Sequence, residues 1–312
     1  MKILIGSCGG LTGYYLTKHF KELGHVVYGM DASFPNATSP LLDKEFLICK
    51  FDDKTFLELL IDILKNNKID CYLPTHSKEL VVVSKNEDYL RSVWNGFFIV
   101  SPYDTFALLD DKESANVNLA KIGIPVPKII NGLLNEEKYP IFMKPKSGSG
   151  SRNSHIVLSS TLHKEYLRLE PNSVFFEYIK GTEYTVDCFF DGCGSLIAFN
   201  QRVRKKCIGG AVVVTKNDYS FDIKPYLDKI AKAFVFKGCV NFQYIVKNNI
   251  PYFIDVNLRY ASGGLPLSVQ SGMNIFKYIC DLSNGIQLIP VSISMANNGL
   301  TMFRYFSEWY SK

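Results

Sequence analysis

The sequence has eight cysteines but no Cys-x-x-Cys pair, and it has no His-Glu-x-x-His helix. The cysteines at 8, 49, 71, 188, 193, 207, 239 and 280 therefore read as reduced thiols, and zinc ligation and a disulfide framework are set aside. Only Cys8 lies in a glycine-rich turn, where a small buried residue is expected rather than a reactive thiol. No apolar run reaches the ~20 residues of a membrane span, and the opening Met1-Lys2-Ile3-Leu4-Ile5-Gly6 is too short an apolar stretch for a signal peptide. Strong charge is also missing: the net charge is +5 and the lysines are scattered, so composition calls for neither nucleic acid nor a membrane surface. Internal repeats and low-complexity segments are absent. The expected setting is the cytoplasm, where the sequon Asn36-Ala37-Thr38 has no meaning.

What is present suits a globular chain of two or three modest domains in 312 residues. Residues 2–6 read as a buried strand, followed by Gly6-Ser7-Cys8-Gly9-Gly10-Leu11-Thr12-Gly13, a helix through 23, and a second strand over 25–30 ending in Asp31. Glycine spacing with an acid after the second strand is the pattern of a dinucleotide turn. That opens one reading, an NAD(P)-dependent oxidoreductase. The catalytic Tyr-x-x-x-Lys of short-chain dehydrogenases occurs only as Tyr14 to Lys18 inside the first helix, out of reach of a nicotinamide. Tight turning and close helix packing are the plainer use of these glycines, with anion binding at the helix start as the alternative. Helix is expected over 56–66 and 79–91, and strand over 69–74 and 97–100. The alternation makes residues 1–105 an open parallel α/β domain. His76, at a strand's carboxyl end, is expected at the surface.

Beyond residue 105 the pattern changes. Helix is expected over 107–122, through Asp110-Asp111-Lys112, and strands over 128–130 and 139–145, the last carrying Lys144. Lys146-Ser147-Gly148-Ser149-Gly150-Ser151 follows. It lacks P-loop spacing, but its backbone N–H groups and hydroxyls can wrap phosphate oxygens. Glu177-Tyr178-Ile179 ends a strand, and Glu183 starts the next with a carboxylate able to accept from ribose hydroxyls. Gln201-Arg202-Val203-Arg204-Lys205-Lys206 is a basic strand. It is either a solvated edge or a cation clamp for a transferring phosphoryl group, with Arg202 and Arg204 on one face. An amphipathic helix is expected over 221–236.

The segment 238–264 gives the sharpest pattern. Two strands, 239–246 and 251–258, flank Asn248 and Asn249, which tolerate the positive φ of a tight hairpin. Asp255, Asn257 and Arg259 then share one face, two residues apart. Gln243 joins them if the turn is centred on Asn249; a turn of even length puts Gln243 on the opposite face. Three side-chain oxygens beside an arginine suit a magnesium ion bound to phosphate, the alternative being an amphipathic hairpin with a wet polar face.

Taken in order, Lys112, Lys144 before the Gly/Ser loop, Glu177-Tyr178-Ile179, Glu183, Arg204, Gln243, Asp255, Asn257 and Arg259 resemble the ATP-grasp superfamily, in its carbamoyl-phosphate-synthase-like branch. The resemblance spans the whole chain. It implies an α/β domain (1–105) followed by a two-lobed α+β ATP-grasp fold, with a small lobe over 106–175 and a C-terminal lobe over 176–312. It further implies ATP between the lobes. Lys112, Lys144, Ser147, Gly148, Ser149 and Gly150 would lie at the phosphates, Glu177, Tyr178 and Ile179 at the adenine, and Glu183 at the ribose. Gln243, Asp255 and Asn257 would hold one or two Mg²⁺ ions, and Arg259 and Arg204 would act on the γ-phosphate and an acylphosphate. Asp255 departs from the family's usual Glu and shortens one metal arm. The implied activity is a carboxylate–amine ligase that converts ATP to ADP, with small-molecule acid and amine as partners and a homodimer left open. A non-catalytic ATP-binding module is the remaining alternative.

Overall fold

In the computed structural model, residues 1–148, 153–208, 211–305 and 307–310 are described. The chain opens with β1 (Lys2–Gly6), α1 (Leu11–Glu22), β2 (Val26–Asp31), β3 (Lys44–Leu47), α2 (Phe56–Asn66), β4 (Cys71–Leu73), α3 (Ser77–Lys85) and α4 (Glu87–Val93). The four strands form a parallel sheet in the order β3-β2-β1-β4. Its strands β1 and β4 are buried and apolar, whereas the edge strand β3 is mostly exposed. The strand expected over 97–100 is a single bridge, Phe97 to Cys71. The helix expected over 79–91 divides at Asn86, which caps the end of α3 and the start of α4.

The glycine turn after β1 is packed by the chain's own acids. Glu79, fully buried, accepts from Tyr72 Oη (2.6 Å), Ser7 Oγ (3.0 Å), Thr75 N (3.1 Å) and His76 N (3.3 Å). A Cβ on Gly6 would meet the Glu79 carboxyl at 1.7 Å, so glycine is required there. Asp31, the acid that ends β2, accepts from Gly9 N and Ser33 N. A pyrophosphate would meet carboxylates at this turn, which counts against the dinucleotide reading. Cys8 is buried, and burial followed by Asp31 pushes its thiol up to about 12, so it stays an inert thiol.

Burial also raises Glu79 from 4.5 to about 7 despite its four donors. The native state then holds a proton that the unfolded chain has released. Stability from this group is full below about 4.5 and is lost as pH rises through about 7. A Glu79→Gln variant is neutral throughout. Its stability relative to the parent should therefore grow by about 2–3 kcal/mol between pH 5 and pH 8, as read by urea unfolding at each pH. A constant difference would mean that Glu79 is ionised when folded.

Two short helices follow, α5 (Tyr103–Leu109) and α6 (Lys112–Lys121). The single helix expected over 107–122 breaks because the Asp111 side chain accepts from Glu113 N and Ser114 N, an N-cap that starts a new helix. Then come β5 (Ile141–Pro145), β6 (His155–Val157), α7 (Ser160–Leu169) and β7 (Ser173–Glu177), with an antiparallel sheet in the order β6-β5-β7. The strand expected over 128–130 is one bridge, Ile129 to Phe176.

The rest builds a six-stranded antiparallel sheet. Its elements are β8 (Thr182–Phe190), β9 (Leu196–Ile208), β10 (Ala211–Asn217), α8 (Lys224–Ala233), β11 (Gly238–Lys247), β12 (Ile250–Asn257), α9 (Leu265–Gln270), α10 (Ile275–Ser283) and β13 (Thr301–Phe303), with strand order β12-β11-β8-β9-β10-β13. The helix expected over 221–236 is the shorter α8. One apolar cluster joins the parallel sheet's helices to one face of this sheet through Leu119, Tyr184, Phe236, Phe242 and Phe253. A second apolar cluster joins Phe189, Ile197 and Cys239 of this sheet to α1, α9 and α10, and the side chains of Glu183, Gln243, Asp255 and Asn257 belong to neither cluster.

Candidate active site

The β11–β12 hairpin closes through Asn248 (φ 49°) and Asn249 (φ 61°), with Lys247 paired to Ile250. The loop is therefore even, two residues of primed-turn geometry, and by itself it would turn Gln243 away from Asp255. A bulge reverses that. Tyr244 pairs with Phe253 but Gln243 pairs with Asp255, leaving Ile254 as the extra residue. Beyond the bulge, Gln243 and Asp255 share a face, and so do Asn241 and Asn257. The freed Ile254 carbonyl accepts from the Lys144 ammonium, which comes from the three-stranded sheet.

The two sheets enclose a cavity of about 330 Å³. Lys112, Lys144, Gly148, Glu177, Tyr178, Ile179, Glu183, Gln243 and Asp255 all line it. Lys112 starts α6, and its ammonium donates to Gly148 O at 2.7 Å, bracing the Gly/Ser loop. Ser147 is exposed beside it, while Ser149 and Gly150 lie outside the described residues. Lys144 is buried, 4.9 Å over the Phe176 ring. Burial lowers its ammonium to about 8, with Asp255 opposing the shift, so it is charged at neutral pH. At the other end, the Glu177 carboxylate accepts from Lys128 N at 2.9 Å and its backbone N donates to Lys128 O at 2.9 Å, and residues 177–179 lie along the cavity wall.

The polar end continues past the cavity as a hydrogen-bonded chain. Asn257 Nδ2 donates to Asp255 Oδ2 (3.1 Å), and Arg259 Nη2 donates to Asn257 Oδ1 (3.2 Å). Asn257 thus bridges Asp255 and Arg259 and is not among the cavity's lining residues. Its oxygen would have to be shared between Arg259 and an ion. Gln243, Asp255 and Asn257 supply hard oxygen donors with one carboxylate, a set that fits Mg²⁺ only if phosphate and water complete its shell. Among the described residues no three His, Cys, Asp or Glu side chains gather into a metal cage.

The arginines on β9 are answered by acids on β8. Arg204 Nε lies 3.1 Å from Glu183 Oε1, so it stands at the Glu183 end of the cavity. That row of the sheet is four residues, roughly 13 Å at ~3.3 Å per residue, from the row of Asp187, Asn241 and Asn257 that leads to Arg259. The structure does not bring Arg204 and Arg259 together. Arg202 is buried, its Nε 2.9 Å from Asp187 Oδ2 and its Nη2 3.2 Å from Oδ1, so the basic strand is not a solvated edge.

Two nearby side chains were not picked out in the sequence. Asp110 follows α5 at an exposed position; desolvation raises its carboxyl, with the charges of Lys112 and Arg259 opposing and that of Asp255 adding to the shift. Its only local sign is its place beside Asp111-Lys112. Ser77 accepts from Arg259 Nε at 3.0 Å, and its only sign is that it follows β4. His76 is exposed, caps α3 and stacks on Phe51.

Residues 170–298 match the family model described as ATP-grasp in the biosynthetic pathway with Ter operon. The carbamoyl phosphate synthase large chain of Clostridium acetobutylicum is 28% identical over 218 residues, which is 62% of this chain. This chain spans about a fifth of the length of that relative, 20%. N5-carboxyaminoimidazole synthetase from Staphylococcus aureus, solved with ADP, superposes with a TM-score of 0.73 at 18% identity, covering 94% of this chain and 79% of its own. L-amino acid ligase from Bacillus licheniformis superposes at 0.70 and 16% identity, covering 93% and 75%. The parallel sheet followed by two antiparallel sheets around a common cavity is the fold this chain shares with these solved structures, and in sequence it is similar to the ATP-grasp family over residues 170–298 and to carbamoyl phosphate synthase large chains over 218 residues.

Proposed function

We propose that the chain is an ATP-dependent ligase that joins a carboxylate to an amine through an acylphosphate, releasing ADP and phosphate. The observation that carries this is the convergence of Lys112, Lys144, Glu183, Gln243 and Asp255 on one cavity between two sheets. We read 1–105 as the preceding α/β domain, 106–175 as the small lobe and 176–312 as the large lobe.

In this reading a substrate carboxylate oxygen attacks the γ-phosphorus, and the bond to the β–γ bridging oxygen breaks to give ADP. An amine then adds to the acyl carbon, loses a proton and expels phosphate. Two anions meet in the first step, so neutralisation and alignment matter more than a base. Lys112 and Lys144 bring cations to the phosphates, and Lys144 gains proton affinity when phosphate arrives. The backbone of 177–179 meets the adenine edge, and Glu183 accepts from ribose hydroxyls while Arg204 holds its carboxylate. Arg259 is left for the γ-phosphate. Gln243 and Asp255, with Asn257 once its oxygen is shared, would hold Mg²⁺, which when bound withdraws charge from the transferring phosphoryl group.

A ligand that binds only the folded state raises its stability, by about 2.7 kcal/mol at a hundred times its Kd. Mg·AMPPNP should therefore raise the melting temperature, and NADH should leave it unchanged. A rise with NADH alone would move the site to the glycine turn after β1. Binding of Mg·AMPPNP with no ADP release from ATP for any acid and amine tried would reduce the protein to a nucleotide-binding module.

A further inference from the structure

We infer that Ser77 is a positioning residue for Arg259, by which the N-terminal unit sets the guanidinium that meets the γ-phosphate. The inference rests on the ligase reading. Among the described residues Arg259 makes three hydrogen bonds. Two stay within its own stretch of chain, Nη1 to Tyr260 O (3.1 Å) and Nη2 to Asn257 Oδ1 (3.2 Å). The third, Nε to Ser77 Oγ at 3.0 Å, crosses to the parallel-sheet unit, 182 residues away in sequence. A guanidinium has five N–H donors, so one N–H remains on each terminal nitrogen, the number a phosphate can take as a fork.

Ser77 is the first residue of α3, where a hydroxyl often serves the helix start. Here that work is done elsewhere: His76 Nδ1 accepts from Lys78 N at 3.2 Å, and Glu79 accepts from His76 N. The Ser77 hydroxyl is turned to Arg259 instead. A cation beside a helix N-terminus gains nothing from the helix dipole, so a specific contact is needed to keep Arg259 there. The start of α3 is rigid because Glu79 also takes Thr75 N and Ser7 Oγ, while Thr75 Oγ1 donates to Gly6 O at 2.8 Å. The glycine turn thereby acquires a use without a dinucleotide: through Ser7 and Glu79 it fixes the segment that carries Ser77.

The test is calorimetric titration of the full chain with Mg·AMPPNP and with Mg·ADP, needing no knowledge of the acid or amine. The parent should bind Mg·AMPPNP more tightly than an Arg259→Lys variant does, with Mg·ADP little changed. Ser77→Ala should weaken Mg·AMPPNP about tenfold and leave Mg·ADP unchanged. Ser77→Thr, which keeps the hydroxyl, should bind as the parent does. The Ser77→Ala and Arg259→Lys effects should not add, because both act on one contact. Equal loss for both nucleotides in Ser77→Ala would show a general packing role and overturn the inference, as would no loss at all. A parent chain in which Arg259→Lys changes neither affinity would also overturn it while leaving the nucleotide site standing. A parent chain that binds neither nucleotide would overturn the ligase reading and this inference together.

Discussion

Replacing Asp255 and Asn257 together with alanine is expected to lower Mg-dependent ADP formation by about 10³-fold or more, with the fold retained. The two side chains start the chain of contacts that runs from Asp255 through Asn257 to Arg259. Removing them takes away the one carboxylate among the proposed magnesium ligands and one of the three hydrogen bonds on Arg259. Both side chains are only partly buried and lie outside the apolar cluster that holds Phe242, Phe253 and Val256. The melting temperature should accordingly move little. The measurement is the steady-state rate of ADP release beside a melting curve for the same preparation. Full turnover in the double variant would remove these residues from the metal site, and a collapsed melting curve would mean that they serve the fold.

Arg202→Met should destabilise the protein by about 3–5 kcal/mol. Arg202 and Asp187 are both buried, at 3% and 2% exposure, and form a two-bonded ion pair across β8 and β9. Asp187 Oδ2 also accepts from Ser268 Oγ at 2.5 Å, which ties the pair to α9. Taking away the guanidinium strands a carboxylate with one neutral donor in a dry layer, whereas replacing both partners with apolar side chains strands nothing. Arg202→Met with Asp187→Leu should therefore recover most of the loss. Urea unfolding of the two single variants and the double decides it: a near-parental Arg202→Met would show that water reaches the pair.

Parts of this architecture were legible because their causes are local. Asp255 and Asn257, two apart, had to share a face in any strand, and Asn-Asn had to turn, whereas Arg259 falls in a bend past the end of β12. The break at Asp111 was legible too, and was missed: Asp followed by Lys-Glu is a helix start, here bonded to Glu113 N and Ser114 N. The strand expected over 97–100 shrank to one bridge. Its apolar residues are equally well buried as irregular chain against the helices, so composition alone did not distinguish the two.

Register and pairing belong to a different level. The two-residue turn taken alone sends Gln243 to the wrong face, and only the bulge at Ile254 brings it opposite Asp255. Nothing in Phe253-Ile254-Asp255 marks a bulge, because a bulge answers to how neighbouring strands twist and pack. Arg204 and Glu183 are likewise unremarkable apart; adjacency of β8 and β9 makes them a pair and takes Arg204 to the far end from Arg259. Ser77 reaches Arg259 across 182 residues. Composition and short-range spacing thus determined that there is an α/β start, an ordered series of lysines, acids and arginines, and a polar-faced hairpin. Which of those side chains meet was decided by strand order, register and the docking of one unit on another. These depend on burying apolar faces throughout the chain, and no short stretch of sequence contains them.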